Sequence, residues 1–287
     1  MEEVVFRVEA QEATAMGKNI LIFADGTGNE GGLLPDESRT NVYKLFRASR
    51  VDPESTIDPE TQIAFYISGI GTPTPGHTSR WQKIKNKVEQ MFGNGLSQKI
   101  AECYVCIISV WRPGDRIYLF GFSRGAYTVR CLAHVLEMAG IPTKQKNGSG
   151  ISLDPKKLYP IARSAVRILY HFGLTTKNVE ARDKQGLEFR AMHGSLDAVP
   201  YFIGVWETVA AMGLARFMPH RYDEHLTKGT PFIRHAMAID EFRSDFIRVN
   251  WGGSGTMPQG TPGEPFPFLQ VWFAGNHSDI GGSYPEN

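Results

Sequence analysis

The stretch YLFGFSRGA, residues 118–126, decides the fold of this chain. An apolar run leads into a Gly-x-Ser-x-Gly pattern, and a helix-forming segment, Ser123–Ala139, follows it. A serine in a tight turn between a buried strand and a helix is the arrangement that presents a nucleophile at a sheet edge. The pattern alone would arise by chance in roughly 0.1 of chains of this length, so the prediction depends on its context. A side chain at Gly121 or Gly125 would collide with the neighbouring strand or helix. The alternative is that Ser123 only caps the helix.

Apolar strands and helices alternate along the rest of the chain. Strands are predicted at Asn19–Asp25, Gln62–Ser68, Asp115–Phe122, Tyr201–Trp206, Phe246–Trp251 and Phe268–Ala274. Helices are predicted at Asn41–Arg50 (capped by Thr40 or Asn41), Leu96–Trp111, Ser123–Ala139, Pro155–His171 and, in a helix-like stretch, His235–Phe242. Strands that are apolar on both faces indicate an α/β fold with a mostly parallel sheet and helices on both faces. The functional site of such a sheet lies beyond the carboxyl ends of its strands.

A single domain is expected to account for most of the chain. Residues 1–18 form a charged N-terminal tail, and residues 19–287 form the α/β domain. Residues 143–197 are more polar and are predicted to be a cap-like or inserted region. The segment Gly252–Pro267 is too rich in glycine and proline for regular structure.

Composition narrows the classes of partner. The 31 Lys and Arg residues balance 30 Asp and Glu residues, which gives no electrostatic case for nucleic acid or an acidic membrane. The charged N-terminus lacks the apolar core of a signal peptide, and the chain has no apolar run of membrane-spanning length. We expect a cytoplasmic protein by default, with export by a route that needs no signal peptide left open. Histidine and cysteine spacings do not predict a metal site.

A serine nucleophile needs a histidine base and an acid that orients it. Glu207 follows the strand YFIGVW, and His277 follows the last strand within a glycine-rich turn. Both positions lie where a site at the carboxyl ends of the strands would place them, so we predict Ser123, Glu207 and His277 as the catalytic residues. Asp279 is the second candidate acid, but its closeness to His277 in sequence suits a residue that fixes the loop. The alternatives are a carboxylate that stabilises a helix N-terminus and an ordinary loop histidine.

The stretch ILIFADGTGN, residues 20–29, raises a different possibility. Phosphatases of the haloacid dehalogenase type carry Asp-x-Asp-Gly-Thr at a strand end, but the position of their nucleophile is Phe23 here, so that chemistry cannot run. Asp25 is therefore predicted to support the site. The N–H group of Arg124, together with the loop at Gly26 and Thr27, is predicted to bind the oxyanion.

The chain resembles the α/β-hydrolase domain family whose best-known members are type VI secretion phospholipase effectors. The resemblance is carried by the blocks FADGTGNE with TNVYKLF, GFSRGAYTVRCLA, VPYFIGVWETVA, HAMAIDEFR and VWFAGNHSDIGG. It assigns the family's Asp-Gly-Thr loop to Asp25, Gly26 and Thr27, its nucleophile to Ser123 and its histidine to His277. Its acid falls on Glu207, where aspartate is usual. The resemblance also implies more chain after the last block than this sequence contains.

These observations predict a serine hydrolase that cleaves carboxylic esters, with phospholipid acyl esters as one substrate class. The resemblance implies ester or phospholipid hydrolysis, and the predicted chemistry needs no cofactor. Contact with membranes is expected to be transient at most, and the sequence identifies no protein partner. The rival prediction is a catalytically inactive protein of hydrolase fold that serves as a binding module.

Overall fold

The computed structural model describes residues 17–26, 29, 38–53, 55–69, 81–172, 176–209, 229–243, 246, 248–251 and 264–283, with the backbone alone for 81–94, 172 and 176–178. The predicted loop Gly69–Thr78, the segment Gly252–Pro267, and Thr27 lie wholly or largely outside these residues. Within them, no helix is both long enough and apolar enough to cross a membrane.

The described strands form one parallel sheet in the order β2-β1-β3-β4-β5-β6. They are β1 Asn19–Ala24, β2 Gln62–Ile67, β3 Arg116–Phe122, β4 Pro200–Trp206, β5 Phe232–Ala238 and β6 Phe268–Phe273. The helices described are α1 Asn41–Ser49, α2 Trp81–Val110, α3 Arg124–Ala139, α4 Pro155–Phe172, α5 Thr176–His193 and α6 His277–Gly281. The predicted α/β class is confirmed. Because all the strands are parallel, their carboxyl ends meet at one edge of the sheet.

Helices cover both faces of the sheet, because alternate strand residues point to opposite sides. On β1, Ile20 and Ile22 enter a buried cluster with residues of α2, α3 and α4, whereas Leu21 and Phe23 pack with Val42 of α1. Thr40 caps α1 by accepting a hydrogen bond from the backbone of Tyr43.

Residues 143–197 contain two helices, where one was predicted. Leu158, Ala162 and Val166 of α4, with Phe189 of α5, belong to the same buried cluster as α2 and α3. These two helices are therefore part of the layer that covers one face of the sheet. The division into tail, domain and insert as a whole remains a prediction.

Two predicted elements were wrong. His235–Phe242 was predicted as helix-like, but His235 lies in the middle of β5, whose buried residues alternate as Ile233, His235 and Met237. A buried histidine among alanines hid the strand period from the sequence. Phe246–Trp251 was predicted as a strand, but its described residues contain only an isolated bridge between Arg248 and Val209. Its apolar signal comes from side chains that enter the core on the α3 side.

The helix predicted at Leu96–Trp111 begins earlier, at Trp81. Gly93 and Gly95 lie in its first half, and glycine disfavours helix by about 1 kcal/mol relative to alanine. The sequence signal therefore starts only after the second glycine.

Candidate active site

Ser123 occupies the turn between β3 and α3, at the carboxyl edge of the sheet. Its backbone has φ 56° and ψ −122°, a conformation that residues with a side chain rarely adopt and that is retained mainly at functional sites. Its N–H donates to the carbonyl of Trp206 at 3.0 Å, which ties the turn to the end of β4. Ser123 stands at the N-cap position of α3, but its side chain makes no capping hydrogen bond. A capping role therefore does not account for this serine.

The two flanking glycines let the turn approach its neighbours closely. A Cβ atom at Gly121 would lie 2.6 Å from the Cα of Ala126, and one at Gly125 would lie 2.1 Å from the carbonyl oxygen of Ala24. Both distances are far below van der Waals contact, so α3 can pack against β1 and β3 only with glycine at these positions. These are the collisions expected from the sequence.

Glu207 lies directly after β4, and its side chain is almost completely buried. Its backbone also has a positive φ, 44°, and its N–H donates to the carbonyl of Ala236 at 2.9 Å. One carboxylate oxygen, Oε1, accepts a hydrogen bond from the N–H of Ala238 at 2.5 Å. The other, Oε2, lies 3.3 Å from Nδ1 of His277. The structure thus brings together two predicted residues that lie 70 positions apart in the chain.

His277 is the first residue of α6 and is held between two aromatic rings. Its ring centroid lies 4.7 Å from that of Phe122, the residue before Ser123, and 4.6 Å from that of Phe246. Its backbone N–H donates to Glu241 Oε2 at 3.2 Å. Because Nδ1 faces Glu207, Nε2 is left on the opposite side of the ring. Ser123, Glu207 and His277 thus lie at the same edge of the sheet, and Nε2 is the ring nitrogen of His277 that does not face Glu207.

Asp279 stabilises the turn that carries His277. Its Oδ2 accepts the N–H of Asn276 at 2.7 Å, while Asn276 Oδ1 accepts the N–H groups of Ser278 and Asp279, so the two residues form a capping box. Among the described residues, it is the carboxylate of Glu207 that faces the His277 ring. The far end of the turn is tied to α1, since Asn41 Nδ2 donates to the carbonyl of Ile280 at 2.9 Å.

Asp25 is buried at the end of β1, and its carboxylate accepts three hydrogen bonds from described residues. Its Oδ1 accepts the N–H of Gly26 at 2.7 Å, and its Oδ2 accepts the hydroxyls of Thr40 at 2.6 Å and Tyr66 at 2.7 Å. Burial raises the pKa of Asp25 to about 6, against the opposing effect of these bonds. A Cβ at Gly26 would lie 3.1 Å from the Cβ of Ser123. Asp25 therefore anchors a loop that passes directly beside the serine.

Arg124 begins α3, so its N–H points out of the first turn, where helix N–H groups lack intrahelical acceptors. Burial lowers the pKa of its guanidinium to about 10. Among the described residues, no group of three or more His, Cys, Asp or Glu side chains has the arrangement of a metal site.

Residues 18–287 match the family described as type VI secretion system phospholipase effector Tle1-like, catalytic domain. The chain belongs to this family. It is also 26% identical over 251 residues to the uncharacterized protein YEL023C of Saccharomyces cerevisiae, a match that covers 82% of this chain and 33% of the yeast protein. A crystal structure of an uncharacterized protein from Pseudomonas aeruginosa aligns with a TM-score of 0.49 and 17% identity, over 93% of this chain and 42% of the other. The chain thus spans about a third of the length of the curated relative that it matches.

The structure adds residues near the site that sequence reasoning missed. Arg248 lies beside Glu207, with 3.8 Å between Nε and Oε1. His235 contacts the residue after Glu207, with Nε2 at 3.4 Å from the N–H of Thr208. Glu241 holds the backbone of His277, and its hydrogen bonds with Arg243 lower its pKa to about 2. His235 and Glu241 stand in the block HAMAIDEFR, which signalled the family without indicating a role for either residue.

Proposed function

We propose that this protein is a serine hydrolase that cleaves carboxylic esters, including phospholipid acyl esters, by means of Ser123, His277 and Glu207. The observation that carries the proposal is the contact between Glu207 and His277 at the sheet edge where Ser123 sits in a positive-φ turn. Positive φ at a serine between strand and helix is the geometry of a nucleophile elbow. Histidine oriented by a buried carboxylate is the arrangement that activates such a serine.

The proposed reaction has two halves. His277 Nε2 accepts the hydroxyl proton while Ser123 Oγ attacks the ester carbonyl, and the same proton then passes to the departing alcohol. Water attacks the acyl-serine in the second half, with His277 again as base. Glu207 accepts the Nδ1–H of His277, which fixes the tautomer and stabilises the imidazolium.

The oxyanion is proposed to bind to two backbone N–H groups. One belongs to Arg124, at the N-terminus of α3, where the helix dipole favours negative charge. The N–H of Gly26 is occupied by Asp25 Oδ1. The second donor that we propose comes from the loop at Gly26 and Thr27, of which Thr27 lies outside the described residues.

Lipid esters are favoured by the family and by the surface near the site. Ile239 and Phe242, which follow β5, are 54% and 85% exposed, and they flank Glu241, which holds the backbone of His277. Apolar side chains exposed at the rim of a site suit a substrate with acyl chains. We propose that membrane contact is transient and is made by this rim.

A fluorophosphonate probe separates the enzyme from a catalytically inactive binding protein. We expect it to label the parent protein and to leave Ser123→Ala unlabelled. Ser109→Ala is the matched control, because Ser109 lies on α2 and donates to the carbonyl of Cys106. Incubation with phosphatidylcholine, phosphatidylglycerol and phosphatidylethanolamine vesicles, followed by mass spectrometry, should reveal free fatty acid and lysophospholipid. Equal labelling of parent and Ser123→Ala would place the nucleophile elsewhere, and no labelling of the folded parent would favour the binding protein.

A further inference from the structure

We propose that Arg248 is a positioning residue of the active site, which keeps Glu207 ionised and aligned with His277. The inference rests on the proposed function for its catalytic meaning. The effect of Arg248 on the charge of the buried Glu207 carboxylate and its neighbours can be measured whether or not the protein is active.

Arg248 approaches the carboxylate oxygen that does not face His277. Its Nε lies 3.8 Å from Glu207 Oε1, and its Nη2 donates to the carbonyl of Ala238 at 2.7 Å. The N–H of the same residue, Ala238, donates to Glu207 Oε1. Ala238 of β5 therefore contacts both the guanidinium and the carboxylate and fixes their relative position. The guanidinium also lies 4.8 Å above the ring of Trp272, which limits its movement.

Glu207 needs a nearby positive charge. Its side chain is 1% exposed, and burial of an ionised carboxylate costs far more than hydrogen bonds alone recover. The N–H of Ala238 is a neutral donor and brings no full charge to the carboxylate. Arg248 carries a permanent charge, and its Nε is buried with no hydrogen-bond partner among the described residues. The guanidinium thus supplies a constant field at Oε1 through the reaction.

In the part of the chain that the structure describes, two other titratable groups near the pair are already compensated or are neutral. Glu241, after β5, reaches the backbone of His277 and is paired with Arg243. His235, on β5, lies behind Thr208, and burial, with the nearby charges of Arg130 on α3 and of Arg248, lowers its pKa to about 3. His235 is therefore neutral at physiological pH. Removal of Arg248 would leave the Glu207–His277 pair without the positive charge that lies nearest to the carboxylate among the described residues.

The consequence for pH dependence has a definite sign. A nearby positive charge disfavours protonation of both groups, so its removal should make them easier to protonate. Removing it should move the acidic limb of the activity profile to higher pH by about one unit. At a pH on that limb, the rate should fall about tenfold, and it should recover at alkaline pH. A residue with only a structural role would lower the amount of folded protein without moving the limb.

The test compares Arg248→Met, Arg248→Gln and Arg248→Lys with the parent. Arg116→Met is the matched control, because Arg116 also lies over an aromatic ring, 4.9 Å from the centroid of Tyr201, but at the amino end of β3. The rate constant of fluorophosphonate labelling is measured from pH 4.5 to 9. We expect Arg248→Met and Arg248→Gln to shift the acidic limb to higher pH. Arg248→Lys should return the limb most of the way to its position in the parent, and the control should match the parent.

Ring-proton NMR of His277, assigned with His277→Gln, measures the apparent pKa of the pair without any need for turnover. An upward shift in Arg248→Met supports the proposal even if the protein labels nothing, and in that case only the proposed enzymatic function fails. An unchanged His277 titration and an unmoved acidic limb in both folded Met and Gln variants would overturn the proposal. If Met does not fold, Gln, which keeps a polar side chain, decides the outcome.

Discussion

Glu207→Gln is the sharpest test of the site, because the structure dictates how the amide must sit. The N–H of Ala238 lies 2.5 Å from Oε1, and this donor requires an oxygen opposite it. The amide oxygen of Gln therefore faces Ala238, and the NH₂ group faces His277 Nδ1. That contact forces Nδ1 to be the acceptor and places the ring proton on Nε2, which is the wrong tautomer for accepting a proton from Ser123. A reversed amide would set two donors against each other at the Ala238 N–H.

The expected cost follows from this tautomer argument. In a well-studied serine protease, the equivalent amide substitution lowers kcat by about 10⁴. We expect a loss on the order of 10²–10⁴ for Glu207→Gln, with little change in melting temperature because the side chain keeps its size.

Glu207→Asp tests the same geometry by shortening the side chain. Removal of one methylene withdraws the carboxylate by about 1.5 Å, one carbon–carbon bond, so the 3.3 Å contact with His277 Nδ1 is lost together with the Ala238 bond. Aspartate tolerates positive φ better than glutamate does, so the turn at φ 44° should persist. Misplacement by about 1 Å can cost about 10² in rate, and we expect a loss of that order, although aspartate is the usual residue of the family.

The assay is hydrolysis of a short-chain p-nitrophenyl ester, with kcat and melting temperature measured for each variant. Glu137→Gln is the matched control, because Glu137 on α3 also faces a histidine, with Oε2 3.6 Å from His134 Nδ1. A kcat for Glu207→Gln within about threefold of the parent, where the control is also unchanged, would refute the role of Glu207. Asp279 would then be the next acid to test.

Three further predictions concern stability. His235 has a folded pKa of about 3, below its ordinary 6.5, so the parent should lose roughly 1.4 kcal/mol per pH unit below pH 6.5, and urea unfolding of His235→Asn should lack this slope. The pH dependence of stability that Asp25 contributes has the opposite sign, because its pKa is raised to about 6. Its stabilising contribution is present below pH 3.8 and is lost as the pH rises through 6. Urea unfolding of Asp25→Asn should lack that change, and ester hydrolysis should fall because the NH₂ group of asparagine cannot accept the hydroxyls of Thr40 and Tyr66 in place of Oδ2; an unaltered slope in either variant would contradict its assignment. Gly125→Ala should lower stability by about 3 kcal/mol, because its Cβ would lie 2.1 Å from the carbonyl oxygen of Ala24, and an unchanged melting temperature would contradict that packing.

The order of most elements could be predicted from sequence, because each depends on residues that are neighbours in the chain. β1 and β3 are short apolar runs bounded by turn residues, and α3 ends at Gly140. The exceptions have tertiary causes. The last four residues of β5 were predicted as part of a helix-like stretch because the inward position at His235 is polar, and contacts with Gln270 and Thr208 make burial of that ring acceptable.

Sequence alone also determined the neighbourhood of Ser123. The strand, the turn and the helix are contiguous, and the flanking glycines are local requirements of that turn. The residues that support the interpretation of Ser123 are therefore its neighbours in the chain. Asp25 could likewise be assigned a supporting place, since Phe23 removes the phosphatase alternative. Parallel strands further implied that residues after β4 and β6 would share an edge.

Only the tertiary structure decided which groups meet at that edge. The contact of Glu207 with His277, the capping box of Asp279 and the approach of Arg248 depend on loop paths and on the register of β4, β5 and β6. Sequence patterns report contacts a few residues apart, through the periods of helix and strand. A side-chain contact across 70 residues is fixed instead by the packing of the whole sheet, which no local pattern encodes.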